Sequence, residues 1–146
     1  MLNRMKANLK TIFILVLLIF IVSCSKPQPQ VCFNHICVDV KIANTPSEQS
    51  QGLMYEKSLD GGMLFKFDKM GRYYFWMENT LIPLDMVWLD NNQKIVHIEK
   101  SVPPCKVEEC PSYGPQADSM YVLEVNAGFM DANGLSYESN ITFQNT

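Results

Sequence analysis

Tyr73-Tyr-Phe-Trp-Met-Glu-Asn-Thr-Leu-Ile-Pro-Leu-Asp-Met-Val-Trp-Leu-Asp90 carries both tryptophans of the chain and a polar knot, Asn79, Thr80 and Asp85, around Pro83. Phe75 to Thr80 and Asp85 to Asp90 are rich in residues that suit a pleated surface. Pro83 cannot donate to a sheet ladder, so the stretch predicts strand, turn, strand, reversing near Leu81–Leu84. Phe75 and Met77 share a face opposite Trp76, and Val87 and Leu89 share a face opposite Met86 and Trp88. Both faces are apolar. The hairpin is therefore either covered on both sides or lines a ligand groove with one of them.

Outward from this stretch the chain reads as further strands. Val38, Val40 and Ile42 alternate with Asp39 and Lys41, the pattern of a half-buried strand. Thr45-Pro-Ser-Glu48 is a helix start, with Thr45 as N-cap and Glu48 three residues on, and the helix would run to about Lys57 with Leu53 and Met54 toward the core. Met63 to Phe67 returns as a strand. Beyond Asn91-Asn92, Lys94 to Lys100 places Val96 and Ile98 opposite Ile95, His97 and Glu99. The proline-rich segment Ser101–Gln116 is long enough for a lid or rim. Met120–Val125 and Tyr137–Phe143 are strands, and a short helix fits between them, capped by Asn126 and ended by Gly134. Many strands and one or two short helices predict a mainly-β domain, a compact β-sandwich or partly open barrel.

The amino terminus reads as targeting. Arg4, Lys6 and Lys10 precede an apolar run from Ile12 to Val22, shorter than the roughly 20 residues of a membrane span. Ile21-Val-Ser-Cys24 resembles a bacterial lipobox, which implies cleavage before Cys24 and a diacylglycerol on its thiol. A plain signal peptide or an uncleaved anchor is the alternative. Ser25 after the cysteine points to the outer membrane, facing the periplasm, in a Gram-negative cell. The expected layout is a leader over 1–23, a lipidated cysteine and Pro/Gln tether over 24–30, and a single domain over 31–146. Without the leader, nine basic side chains face fifteen acidic ones, a net charge of −6. No basic run offers a nucleic-acid surface.

Four further cysteines form two equally spaced pairs, Cys32/Cys37 and Cys105/Cys110. A two-residue turn at Asn34-His35 would set Cys32 opposite Cys37 with Cα atoms about 4.5 Å apart, within disulfide reach. Cys105 and Cys110 would staple the proline-rich loop. A four-cysteine zinc site is the sharper alternative, but exported cysteines usually pair. Neither pair has the C-x-x-C spacing of redox-active thiols.

Gly52-Leu-Met54, Gly62-Met-Leu-Phe65, Phe75-Trp-Met77, Asn79-Thr80, Ile82-Pro-Leu-Asp85 and Tyr121-Val-Leu-Glu-Val125 with Ala127-Gly128 come in the order and spacing of one family. Over about residues 31–144 the chain resembles the bacterial and archaeal domain-of-unknown-function family 192, including the Pro-Cys…Cys-Pro-x-Tyr-Gly loop of its exported members. The Cys32/Cys37 hairpin is not part of that pattern. The resemblance implies a compact, mainly-β fold and an exported location, and no reaction.

Candidate chemistry centres on Asp85 with Asn79 and Thr80, a polar rim to an aromatic groove in which Trp76 or Trp88 offers a stacking face. The competing reading is turn chemistry, in which these side chains satisfy backbone groups near Pro83. An acid–base enzyme acting on a glycan would pair Asp85 with Glu124 at about 5–9 Å. Alternation instead turns Glu124 outward with Val122, away from Tyr121, Leu123 and Val125. His35 and His97 fit no catalytic spacing. Met54, Met63 and Met77 could hold Cu(I), although methionine more often fills core gaps. No metal or cofactor is expected. The sequence thus predicts a lipid-anchored envelope module that binds a small ligand between the Trp76/Trp88 hairpin and the Ser101–Gln116 loop. An assembly role with an envelope protein partner is the third class.

Overall fold

Strand β1 (Gln30–Phe33) turns at Asn34-His35 into β2 (Ile36–Ala43), with Cys32 opposite Cys37 and Phe33 opposite Ile36. The computed structural model in which this hairpin appears describes residues 26–146; the leader and Cys24 lie outside the described residues. Both cysteine pairs are local disulfides, with Cα atoms 4.0 Å apart for Cys32–Cys37 and 5.7 Å for Cys105–Cys110. The thiolates that a four-cysteine zinc site would use are therefore joined in pairs. The folded unit begins slightly before residue 31. Gln30 already lies in β1, Pro29 accepts from Val40 N, and Gln28 accepts from the Asn145 side chain.

The chain continues through α1 (Pro46–Gln51), β3 (Gly62–Gly71), β4 (Phe75–Trp76), β5 (Leu84–Leu89), β6 (Ile95–Val102), β7 (Ser112–Tyr113), β8 (Ser119–Asn126), α2 (Phe129–Ala132) and β9 (Ile141–Gln144). Seven strands form one sheet in the order β6-β5-β8-β3-β2-β1-β9, and β4 pairs with β7 in a second, two-stranded sheet. Among the described residues only β2 and β3 run parallel, and α1 lies on the crossover that a parallel pair requires. The capping box at Thr45 and Glu48 forms, and Gly52 ends the helix at φ 47°. The helix stops short of Lys57 because that left-handed turn redirects the chain. A Cβ at Gly52 would come 3.3 Å from the Phe65 ring.

Of the two architectures expected, the partly open barrel is realised. The large sheet curls into a half-barrel, which brings the Tyr121 and Phe143 rings within 4.9 Å although three strands separate β8 from β9 in the sheet. One core fills the concave side, with Val31, Phe33, Leu64, Val87, Leu89, Leu123 and Val125 closed below by Met130 and Leu135. A second core lies on the convex side: Leu53, Phe65, Met77, Met86, Trp88 and Val122. Every residue of β5 is buried. The apolar residues on both its faces therefore report two covered faces.

The strand–turn–strand reading of Phe75–Asp90 is corrected. β4 pairs with β7, which puts Phe75 opposite Tyr113, while β5 pairs with β6 and β8. Residues 77–83 thus carry the chain from the small sheet to the large one and make no hairpin. In β6 a bulge near Val96 sets Ile95 and Ile98 on the same concave side, opposite Leu89 and Val87. The Asn126 side chain donates to Leu59 O at 2.9 Å and does not cap α2, whose N-cap is Gly128. Gly134 does end that helix: its N–H reaches Asp131 O and that of Leu135 reaches Met130 O, with both Met130 and Leu135 buried.

Candidate ligand site

Asp85 lies on the concave side of β5, opposite Val125. It is fully buried. One carboxylate oxygen accepts from Ser101 N at 2.8 Å and Gly128 N at 3.1 Å, and the other from Met130 N at 2.9 Å. Gly128 brings no side-chain cap to α2, so Asp85 caps that helix from a distance of 43 residues in sequence. The same carboxylate holds Ser101, a non-glycine residue at φ 52°. The expectation that Asp85 forms the rim of a groove gives way to a structural role. Satisfying backbone groups is the right class of explanation, but the partners are the end of β6 and the start of α2 rather than the Pro83 segment.

Trp88 is also fully buried, and its indole N–H donates to Tyr73 O at 2.8 Å, so it offers no stacking face. Asn79 takes the left-handed conformation at φ 55°, which asparagine tolerates, and its carbonyl accepts from Tyr55 N. Thr80 is buried in a bridge to Met54. Trp76 is 55% exposed. Trp76 and Thr80 come together at a cavity; Asp85 and Trp88 do not join them.

That cavity, of about 370 Å³, sits on the convex side between α1 and the aromatic segment that follows β3. Its walls include Leu53, Met54, Phe65, Phe67, Tyr73, Tyr74, Phe75, Trp76 and Thr80, and Glu124 is at its floor. Ring packing shapes the walls. Phe67 and Tyr73 stack with centroids 3.5 Å apart, and Phe75 meets Phe65 edge-on at 4.8 Å. The space between the proline-rich loop and Met77 is a separate apolar hollow of about 390 Å³, lined by neither tryptophan.

Glu124 is the residue that sequence reasoning turned the wrong way. Alternation does set it with Val122, but that face is covered by the second core and is not solvent. Across the sheet it stands between Met63 on β3 and Met86 on β5. Among the described residues no group donates a hydrogen bond to its carboxyl, yet no fully buried side-chain oxygen lacks a partner. The carboxyl oxygens must therefore open into the cavity. Burial pushes the pKa up to about 8, because desolvation disfavours the charged form. A lone acid in the apolar run Tyr121–Val125 was the available signal. It pointed to a site only once both faces of the sheet were known to be covered.

His97 lies against the Trp88 ring and pairs with Glu99 at 2.8 Å, away from the cavity. Met54 lines the cavity, Met63 flanks Glu124, and Met77 is buried beneath the proline-rich loop.

No curated protein matches this chain. A crystal structure from Sinorhizobium meliloti 1021, described as a candidate transcription regulator, superposes with a TM-score of 0.70 at 29% identity, covering 82% of this chain and 98% of its own. A protein of unknown function from Novosphingobium aromaticivorans DSM 12444 has the same fold, with a TM-score of 0.70 at 24% identity over 77% of this chain and 83% of its own. Residues 30–143 match domain-of-unknown-function family 192, described as an uncharacterized ACR, so nearly all of the folded unit described above belongs to that family.

Proposed function

We propose that this protein is a small-ligand-binding module of the cell envelope, lipid-anchored at Cys24, with its ligand seated over Glu124. The observation that carries the binding reading is a buried carboxyl with no partner among the described residues, opening into a walled cavity. Such a group costs stability unless a ligand uses it. The cavity's 370 Å³ lies in the range of small-molecule sites, about 300–1,000 Å³. The wall favours binding over turnover. A glycosidase needs a second carboxylate about 5–9 Å away, and among the described residues Glu124 is the one acidic side chain of the lining. Asp85 faces the other side of the sheet with three backbone donors on it.

The envelope placement rests on the Ile21-Val-Ser-Cys24 pattern and on two disulfides, which suit an oxidising compartment. Gln28 is already tied to the domain through Asn145. Four residues of chain span at most about 14 Å, so the lipid on Cys24 would hold the domain close against the headgroups. A net charge of −6 without the leader disfavours nucleic acid as a partner.

A second reading has its own observation. Tyr74 and Trp76, each more than half exposed, line the cavity, and the equally exposed Tyr55 and Leu81 follow the lining residues Met54 and Thr80 in sequence. Exposed apolar side chains of this kind suit a protein partner in an assembly role. The test is a thermal-shift screen of the mature chain carrying Cys24→Ser against cell-wall glycans and small metabolites. A stabilising hit lost in Glu124→Gln and kept in His97→Ala supports the ligand reading. No shift across the panel, with an envelope protein captured through Tyr74 and Trp76, supports the partner instead.

A further inference from the structure

We propose that the cavity takes an organic cation, a substituted or quaternary ammonium group, with Glu124 as its counter-ion and Phe65, Phe67, Tyr73, Phe75 and Trp76 as its walls. This rests on the small-ligand reading above and names the class of ligand. Three observations carry it. Charge comes first: among the described residues the lining contains no lysine, arginine or histidine, so an anion would meet a carboxyl and no counter-charge there.

Ring geometry is the second. Phe75 crosses Phe65 at 87° and Phe67 at 84°, while Tyr73 lies flat on Phe67 at 7°. Rings at right angles present their electron-rich faces in different directions, as an enclosure for a cation requires. The third is that, Glu124 apart, the less exposed polar side chains of the wall are already engaged, while Ser50, Gln51 and Tyr74 are on exposed residues, which weighs against a sugar held deep in the cavity. A polyol needs several convergent partners. In this wall Gln49 already donates to Lys66 O at 2.8 Å, and the Thr80 hydroxyl is turned to Glu78 O. Met63 and Met86 on either side of Glu124 offer it no donor. The charge that would make Glu124 a carboxylate must come from the ligand.

Binding is therefore coupled to a proton. In the empty cavity burial holds Glu124 protonated at pH 7, its pKa raised to about 8. An ammonium group beside it favours the ionised form, so each cation that enters expels a proton. Affinity rises from pH 6 to pH 8 and levels off above the raised value. The titratable groups facing this site are Tyr73 and Tyr74 in the wall. On the same sheet face, Lys41 and Glu99 stand two strands away on either side, and Lys41 is engaged with Glu56. Glu48 of α1 is held in its capping box.

The test is isothermal titration of the mature chain carrying Cys24→Ser with choline and with its neutral isostere, 3,3-dimethyl-1-butanol. It is run at pH 7 in two buffers of different ionisation enthalpy. Choline should bind about tenfold or more tighter than the isostere and release close to one proton. Glu124→Gln, checked for folding by circular dichroism, should abolish both the preference and the proton release while leaving the isostere unchanged. Equal binding of the two probes, or no binding of choline, overturns the cation. If a panel compound still binds and is lost in Glu124→Gln, the small-ligand reading survives that failure. If nothing binds, both fall. Saturable Cu(I) binding that excludes choline and is lost in Met54→Leu would overturn the cation in favour of a thioether site.

Discussion

Asp85 and Glu124 lie on adjacent strands, one residue out of register, so their side chains leave opposite faces of the same sheet. Both are buried acids. Asp85 on the concave side gathers three backbone N–H donors, one from the end of β6 and two from the start of α2, and fixes the start of that helix. Glu124 on the convex side has methionines for neighbours and a cavity in front of it. Burial alone does not identify a functional carboxyl. An acid whose oxygens are occupied by the fold stabilises it, and one left open to a cavity is available for a ligand.

The largest expected effect breaks the first half of this contrast. Asp85→Ala leaves the N–H groups of Ser101, Gly128 and Met130 without their acceptor, at about 3–5 kcal/mol of stability. Urea unfolding reads it as a lower midpoint at unchanged slope, and a loss under 1 kcal/mol would contradict the capping role.

Glu124→Gln should act in the opposite direction. Between the ordinary carboxyl value of 4.5 and about 8 the folded chain keeps a proton that the unfolded chain has lost. Wild-type stability therefore falls as pH rises through this window and flattens above it. The glutamine variant lacks that slope and should gain about 4 kcal/mol over wild type at pH 8, with little difference at pH 4. Parallel pH–stability curves would mean that Glu124 is solvated.

Much of the fold is legible in the sequence because it is written locally. The Asn34-His35 turn fixes the Cys32/Cys37 register, the Thr45/Glu48 box starts α1, and Gly134 ends α2. Long-range pairing is where the reading fails. Nothing in Phe75-Trp76 specifies Ser112-Tyr113 as its partner in place of the nearer β5. The site was misread for the same reason. Asp85 looked reactive because its three partners lie 16, 43 and 45 residues away. Glu124 looked inert because alternation says which residues share a face and is silent on what covers that face.

Two smaller effects sharpen the comparison. Replacing Cys105 and Cys110 by serine opens a short loop and should cost about 2 kcal/mol, read by thermal unfolding, with the pH dependence assigned to Glu124 intact. Trp76 is 55% exposed, so Trp76→Ala should change stability by less than about 0.5 kcal/mol. It should nonetheless weaken any ligand that the Glu124 cavity holds, as titration calorimetry would show. Loss of stability without loss of binding would move Trp76 from wall to core.

The most direct test of the account is a carboxyl-carbon NMR titration of Glu124 in the mature chain, assigned by its disappearance in Glu124→Gln. The account predicts a midpoint near 8, moving downward when a ligand cation occupies the cavity. A midpoint near 4.5, the ordinary value, would place the carboxyl in water and remove the basis of the proposed site.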